Sequence, residues 1–203
     1  DVIDAVAEAP DRVTKDGSLH RLGLSPEEIA DRVAADTQVI GITNMWSFSW
    51  PLVRRILHVL KERHPDKLIV AGGEHFTGLT ELSLKDSPID YIVMGEGEET
   101  VVELLRRLER GERDPGELTG VAFRRGGEIV VNPRRDRVRA IDQIPWPAWH
   151  LFDLAAYNDH RLLLGVHAGF TVPILATRGC PYQCTYCSSP TMWTTRWYPR
   201  DPV

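Results

Sequence analysis

The sequence is poor in several features, and each scarcity narrows what the chain does. It has only three cysteines in 203 residues. An odd number of thiols crowded within eight positions is a poor disulfide framework, because one must stay unpaired. No apolar run approaches the ~20 residues a membrane span needs, and no charged-then-apolar signal segment opens the chain. Excess positive charge is also missing. The net charge of −5 gives no basic face for phosphates, so no nucleic-acid partner is expected. One basic run, Arg134, Arg135, Arg137 and Arg139, interrupts that pattern, and with Asp136 inside it reads as a solvated connector. There is no internal repeat and no low-complexity tract. The chain starts at Asp1 without an initiator Met and stops at Val203 in a polar stretch, which reads as an excerpt of a longer protein.

What remains is ordinary globular material, 42% hydrophobic and 26% charged, patterned as alternating strands and helices. Asp1–Val6 reads as a strand end, followed by a loop to Gly23. Ser25-Pro26-Glu27-Glu28 is a capping box with Pro at the first helical position, opening a helix to about Ala35. Gln38–Thr43 reads as a short buried strand. Pro51 opens a helix with Leu52, Ile56, Val59 and Leu60 on one face, ending near His64-Pro65. Lys67–Ala71 and Tyr91–Met94 are further strands, with a short helix over Gly78–Lys85 between them. A helix from about Thr100 to Arg110 stops at Gly111. Such alternation predicts βαβ units and a parallel, Rossmann-like sheet.

Beyond it, Gly120–Arg124 and Glu128–Asn132 flank Arg125-Gly126-Gly127 as a β-hairpin. A Pro/Trp-rich linker follows, and then a strand over Val172–Thr177. The expected organisation is an α/β domain at 1–115, a hairpin and connector at 116–165, and the start of a second domain at 166–203. Ligands of open parallel sheets bind beyond the carboxyl ends of the strands. That rule singles out Thr43–Trp50, Gly72–Gly78 and Gly95–Glu99.

The cysteines stand in Arg178-Gly179-Cys180-Pro181-Tyr182-Gln183-Cys184-Thr185-Tyr186-Cys187. Thiolates are good ligands for cluster iron, and three of them leave one iron of a cubane open to another ligand. They also require a reducing compartment, so cytoplasm is the expected location. A zinc site completed by a histidine such as His167 is the competing reading, although zinc favours two separated ligand pairs. Upstream, Gly72-Gly73-Glu74-His75 and Gly95-Glu96-Gly97-Glu98-Glu99 each close a strand. Their glycines permit close backbone approach. Carboxylates at a helix start repel phosphate and suit a ligand fringed with N–H donors. Taken alone, each loop reads more simply as plain turn and helix-cap chemistry.

Cys180, Cys184 and Cys187, with Tyr186 before the last, match the CxxxCxΦC motif of the radical S-adenosylmethionine superfamily. With the two glycine-acid loops ahead of it, nearly the whole chain resembles the cobalamin-dependent radical S-adenosylmethionine enzymes. The resemblance implies a cobalamin-binding α/β domain followed by the beginning of a partial (β/α) barrel. It implies a [4Fe–4S] cluster on the three cysteines, with S-adenosylmethionine on the open iron and Tyr186 near its adenine. Cobalamin would be surrounded by Thr43, Met45, Trp46 and Ser47, by Gly72, Gly73, Glu74 and His75, and by Gly95, Glu96, Gly97 and Glu98.

The implied activity is methyl transfer to an unactivated carbon, or to phosphorus, through a 5′-deoxyadenosyl radical and methylcobalamin. A cyclase or rearrangement enzyme with the same cofactors is the near alternative, and a non-catalytic zinc module the distant one. A tRNA methylthiotransferase fits less well, since it needs further cysteines. Partners would be a small-molecule substrate, such as a natural-product, lipid or sugar precursor, and an electron donor such as flavodoxin or ferredoxin. The DxHxxG cobalt-ligand motif is missing; Ser18–Gly23 imitates it with Ser for Asp, and His20 reads as a surface loop residue. Trp46 either covers a corrin face or packs as a core or interdomain aromatic. Trp193 and Trp197 read as barrel packing.

Overall fold

A computed structural model describes residues 1–163 and 169–202. His167, the histidine weighed as a zinc ligand, lies outside the described residues. The chain opens with turns over residues 5–11, where a strand end was expected, and then a hairpin that pattern reading passes over as loop. Strands β1 (Val13–Asp16) and β2 (Leu19–Leu22) pair antiparallel. The two-residue turn between them is Gly17-Ser18, with Gly17 at φ +61°, a left-handed position that glycine takes cheaply at the first residue of a hairpin turn. His20 therefore sits on a strand, exposed as expected but not in a loop. Helix α1 (Pro26–Asp31) begins on the capping box of Ser25 and Glu28 and stops short of Ala35.

Five strands form the main sheet in spatial order β3 (Val39–Thr43), β4 (Leu68–Gly72), β5 (Tyr91–Val93), β6 (Val121–Arg125) and β7 (Glu128–Val131). The first three are parallel, as expected. The hairpin does not stand apart. Strand β6 pairs antiparallel with β5 through Tyr91–Phe123, so the sheet is mixed and continues past residue 115. Strand β3, expected to be buried, is an edge strand whose Gly41 and Thr43 are exposed.

Between the strands lie α2 (Trp50–Arg63), α3 (Glu74–Gly78), α4 (Thr80–Asp86) and α5 (Gly97–Glu109). The helix expected over 78–85 is α4, and the short α3 ahead of it was not anticipated; the two are separated where Leu79 leaves helical geometry (φ −126°, ψ 43°). Alternate residues of a strand face opposite sides of a sheet. Accordingly Ile69, Ala71 and Ile92 pack with Leu57, Leu60, Phe76 and Leu84 on one face. Val70, Tyr91 and Val93 pack with Leu104, Val121 and Phe123 on the other. The result is a three-layer α/β unit with all its parallel carboxyl ends on one edge.

After β7 the chain runs through short 3₁₀ turns to α6 (Leu154–Asp159). Tyr157 donates from its hydroxyl to Asp4 at 2.9 Å, tying this connector to the chain's start. Of the strand expected over 172–177 only β8 (Thr177–Arg178) forms, paired with β9 (Tyr198–Pro199) around α7 (Ser189–Trp193). Pro173 lacks an N–H, and Ile174 and Leu175 are exposed, so no ladder holds the preceding residues. No helix among the described residues is long and apolar enough to cross a membrane.

Candidate functional site

Three loops meet at the carboxyl edge of β3, β4 and β5, and buried polar side chains knit them together. Asn44 N–H donates to Gly72 O at 3.0 Å, and His75 N–H donates to Asn44 O at 3.1 Å. Thr77 donates to Gly73 O at 3.0 Å and accepts from Gly95 N–H at 3.0 Å, bridging the second loop to the third. Sequence reading missed Asn44 and Thr77. The only signal for them was their polarity at positions flanking glycine loops.

Gly73 adopts φ +107°, and a Cβ there would meet Asn44 O at 2.7 Å and Thr43 Oγ1 at 3.0 Å. Its close approach is thus to the neighbouring loop, where the sequence suggested a ligand. Gly95, at φ +72°, has open space where a Cβ would stand.

The loop after β3 presents apolar surface to solvent. Met45, Trp46 and Phe48 are 46%, 57% and 74% exposed, and the Trp46 and Phe48 rings stack at 6.2 Å. Trp46 is therefore not a core aromatic. Beneath it Asn44 is buried, and its Nδ2 has no partner among the described residues. An exposed apolar shelf, an unspent buried amide donor and glycine-lined neighbours form a surface that fits a large, flat, amide-rich cofactor such as a corrin.

His75 occupies a different place from the one the motif suggests. It is buried, stacked on Trp50 at 4.8 Å, with Nδ1 3.0 Å from Ser47 Oγ and Nε2 3.4 Å from Ser83 Oγ. Burial pushes its pKa below the usual histidine value, so it is a neutral internal tie between loops. Glu74 turns toward α7 and accepts from Trp193 Nε1 at 3.3 Å.

The acidic loop makes ion pairs of its own. Glu96 and Glu98 belong to arginines. Arg178 Nη1 lies 3.1 Å from Glu96 Oε1, and its Nη2 pairs with Glu98. Glu96 further accepts from Val138 N–H at 2.7 Å and pairs with Arg137 at 3.4 Å. Arg137, Glu96 and Arg178 are nearly buried. The basic run is a solvated connector only in part: Arg134 and Arg139 are exposed, but Arg137 is engaged here and Arg135 pairs with Glu99 and Glu103. Removing one partner of a buried pair costs about 3–5 kcal/mol, against about 0–1 for a typical exposed pair. The cluster around Glu96 is thus the electrostatic feature that matters most here. Burial alone would raise the Glu98 pKa, but the hydrogen bond and charge of Arg178 outweigh it and hold the carboxyl below its ordinary value.

Arg178 leads directly into the cysteine loop. All three thiols are free, Cys180 half-buried and Cys184 and Cys187 exposed. Tyr186 is 91% exposed. Among the described residues, no three His, Cys, Asp or Glu side chains are gathered as a metal-binding group. The donor chemistry, three free thiolate-forming residues on one short loop, fits soft iron and leaves one cluster position to an outside ligand.

Residues 13–105 match the B12 binding domain family. Over 182 residues the chain is 36% identical to an anaerobic magnesium-protoporphyrin IX monomethyl ester cyclase of Synechocystis sp., covering 88% of this chain and 35% of that protein. It is 30% identical over 175 residues to the cobalamin-dependent radical SAM methyltransferase TokK of Streptomyces tokunonensis, covering 84% and 25%. The chain thus spans a quarter to about a third of the relatives it matches. Its fold is shared with the radical S-adenosylmethionine methyltransferase TsrM of Kitasatospora setae, solved with cobalamin and a [4Fe–4S] cluster bound. The TM-score is 0.62 at 20% identity, over 86% of this chain and 35% of that one. Residues 13–105 thus match a B12 binding domain, and over most of its length the chain is similar to cobalamin-dependent radical S-adenosylmethionine enzymes.

Proposed function

We propose that this chain is the cofactor-assembling part of a cobalamin-dependent radical S-adenosylmethionine methyltransferase acting on a small molecule. The observation that carries the proposal is spatial. The loops at the carboxyl edge of the B12 domain and the cysteine loop are joined through Arg178, Glu96 and Glu98. Two one-carbon and one-electron cofactors would therefore sit on adjoining surfaces.

Thr43, Met45, Trp46, Ser47, Gly72, Gly73 and Gly95 would hold the corrin, with the stacked Trp46 and Phe48 excluding water from one face. Cys180, Cys184 and Cys187 would hold the cluster, with Tyr186 free to close over a bound S-adenosylmethionine. When bound, these cofactors supply a substrate radical and a transferable methyl group. The chain's own residues bind, orient and shield them. Electrons would come from a flavodoxin- or ferredoxin-like donor in a reducing, cytoplasmic setting.

The test is anaerobic reconstitution of the full-length protein with iron, sulfide and cobalamin. Wild type should show broad visible iron–sulfur absorbance that Cys184→Ala abolishes, and methyl-labelled S-adenosylmethionine should label the product. Stoichiometric zinc without a chromophore would overturn the reading. The 36% identity to a ring cyclase supports a second one, with the same cofactors and no methyl transfer. 5′-Deoxyadenosine formed without labelled product would favour it.

A further inference from the structure

The cysteine loop is held at its ends and loose in its middle. At its entry Arg178 is clamped between Glu96 and Glu98, and Gly179 follows at φ +87°. A Cβ there would run into the Arg196 carbonyl and stand 2.9 Å from Arg137 Nη1. At its exit Arg137 donates to the carbonyls of Trp193 and, at 3.0 Å, Arg196. The same guanidinium lies over the rings of Trp193 at 5.5 Å and Tyr198 at 5.0 Å. Between these anchors the loop has little of its own: Cys187 N–H donates to Cys184 O at 3.1 Å, and Tyr182 and Tyr186 are exposed. Both ends converge on Glu96, a residue of the B12 domain some eighty positions earlier in the chain.

We infer that Glu96 and Glu98 are positioning residues for the cysteine loop, acting through Arg178 and Arg137, and are not contacts to the corrin. Two carboxylates on one forked guanidinium fix direction as well as distance. The loop of the B12 domain therefore sets how Gly179-Cys180 leaves the sheet edge, and how the chain returns after α7. The consequence for a cluster rests on the proposed function above.

The test compares full-length wild type with Glu96→Gln, Glu98→Gln and Arg178→Lys. Three quantities are read: iron and sulfide bound after anaerobic reconstitution, the rate of limited proteolysis within residues 180–188, and cobalamin retained. Glu96→Gln should cut cluster content and raise cleavage by at least about tenfold, since cleavage follows the population released when a buried pair is lost, while cobalamin stays at the wild-type level. Glu98→Gln and Arg178→Lys should move the first two quantities the same way and less far. Unchanged cluster content and cleavage in both glutamine variants would overturn the inference. So would loss of cobalamin with an intact cluster, which returns the carboxylates to the corrin. If Glu96→Gln does not fold, Glu98→Gln, at a half-exposed position, carries the comparison. If wild type takes up no iron, the cluster assignment fails, and the cleavage rates still decide the positioning claim.

Discussion

His75 Nδ1 stands 3.0 Å from the Ser47 hydroxyl, pinning the helix after β4 to the loop after β3. The ring is buried and its pKa is lowered by that burial, so the folded state holds it neutral while the unfolded chain titrates near 6.5. A depressed pKa means stability is complete above the unfolded value and drains as pH falls through the folded one. Denaturant unfolding at pH 7.5, 6.5 and 5.5 should show wild type losing stability relative to His75→Gln at up to about 1.4 kcal/mol per pH unit. Parallel curves for the two proteins would remove the neutral tie.

Gly73→Ala should damage the same junction without touching a titratable group. The residue is at φ +107°, ψ 178°, a region open essentially to glycine alone. The new methyl would also press on the Asn44 carbonyl, which is backbone and cannot swing aside. Strain and overpacking together predict a loss on the order of 2–4 kcal/mol, measurable by thermal or chemical unfolding. Gly95→Ala meets no atom within 4 Å and should cost less, through its φ of +72° only. Equal losses at the two positions would contradict this account of Gly73.

Acid should release the cysteine loop before it unfolds the sheet. The Glu98 carboxyl is held below its ordinary value of 4.5, so its contribution is present above that pH and disappears as pH falls through the depressed folded value. Proteolysis within residues 180–188 should therefore accelerate below about pH 4.5 in wild type. In Glu98→Gln it should already be fast and nearly pH-independent over that range. An acid-stable protease such as pepsin serves for the assay, and far-ultraviolet circular dichroism monitors the sheet. Acceleration that tracks loss of the sheet would refute the ordering.

Much of the fold was legible because it is written in local chemistry. The capping box at Ser25 and the β-branched runs of β4 and β5 each carry their own signal within a few residues. Gly17-Ser18 carried such a signal too, and the charged surroundings of β1 hid it. The placement of β6 against β5 had no local signal, because a hairpin pattern reads the same whether it stands alone or extends a sheet. The expected strand over 172–177 failed for a related reason: apolar residues make a strand only where a partner offers hydrogen bonds.

The candidate site divides along the same line. Cys180, Cys184 and Cys187 were evident from spacing alone, and the glycine-acid loops from their position after strands. The sequence by itself determined which residue types stand at the carboxyl edge, since strand ends and turn residues are short-range properties. Only the tertiary structure decided what those residues face. Glu96 and Glu98 look outward in a one-dimensional reading, and the fold turns them onto Arg178. His75 looks like a ligand contact and is a buried tie. A carboxylate's role depends on which charge is brought within about 4 Å of it, and Arg178 arrives there from some eighty residues away.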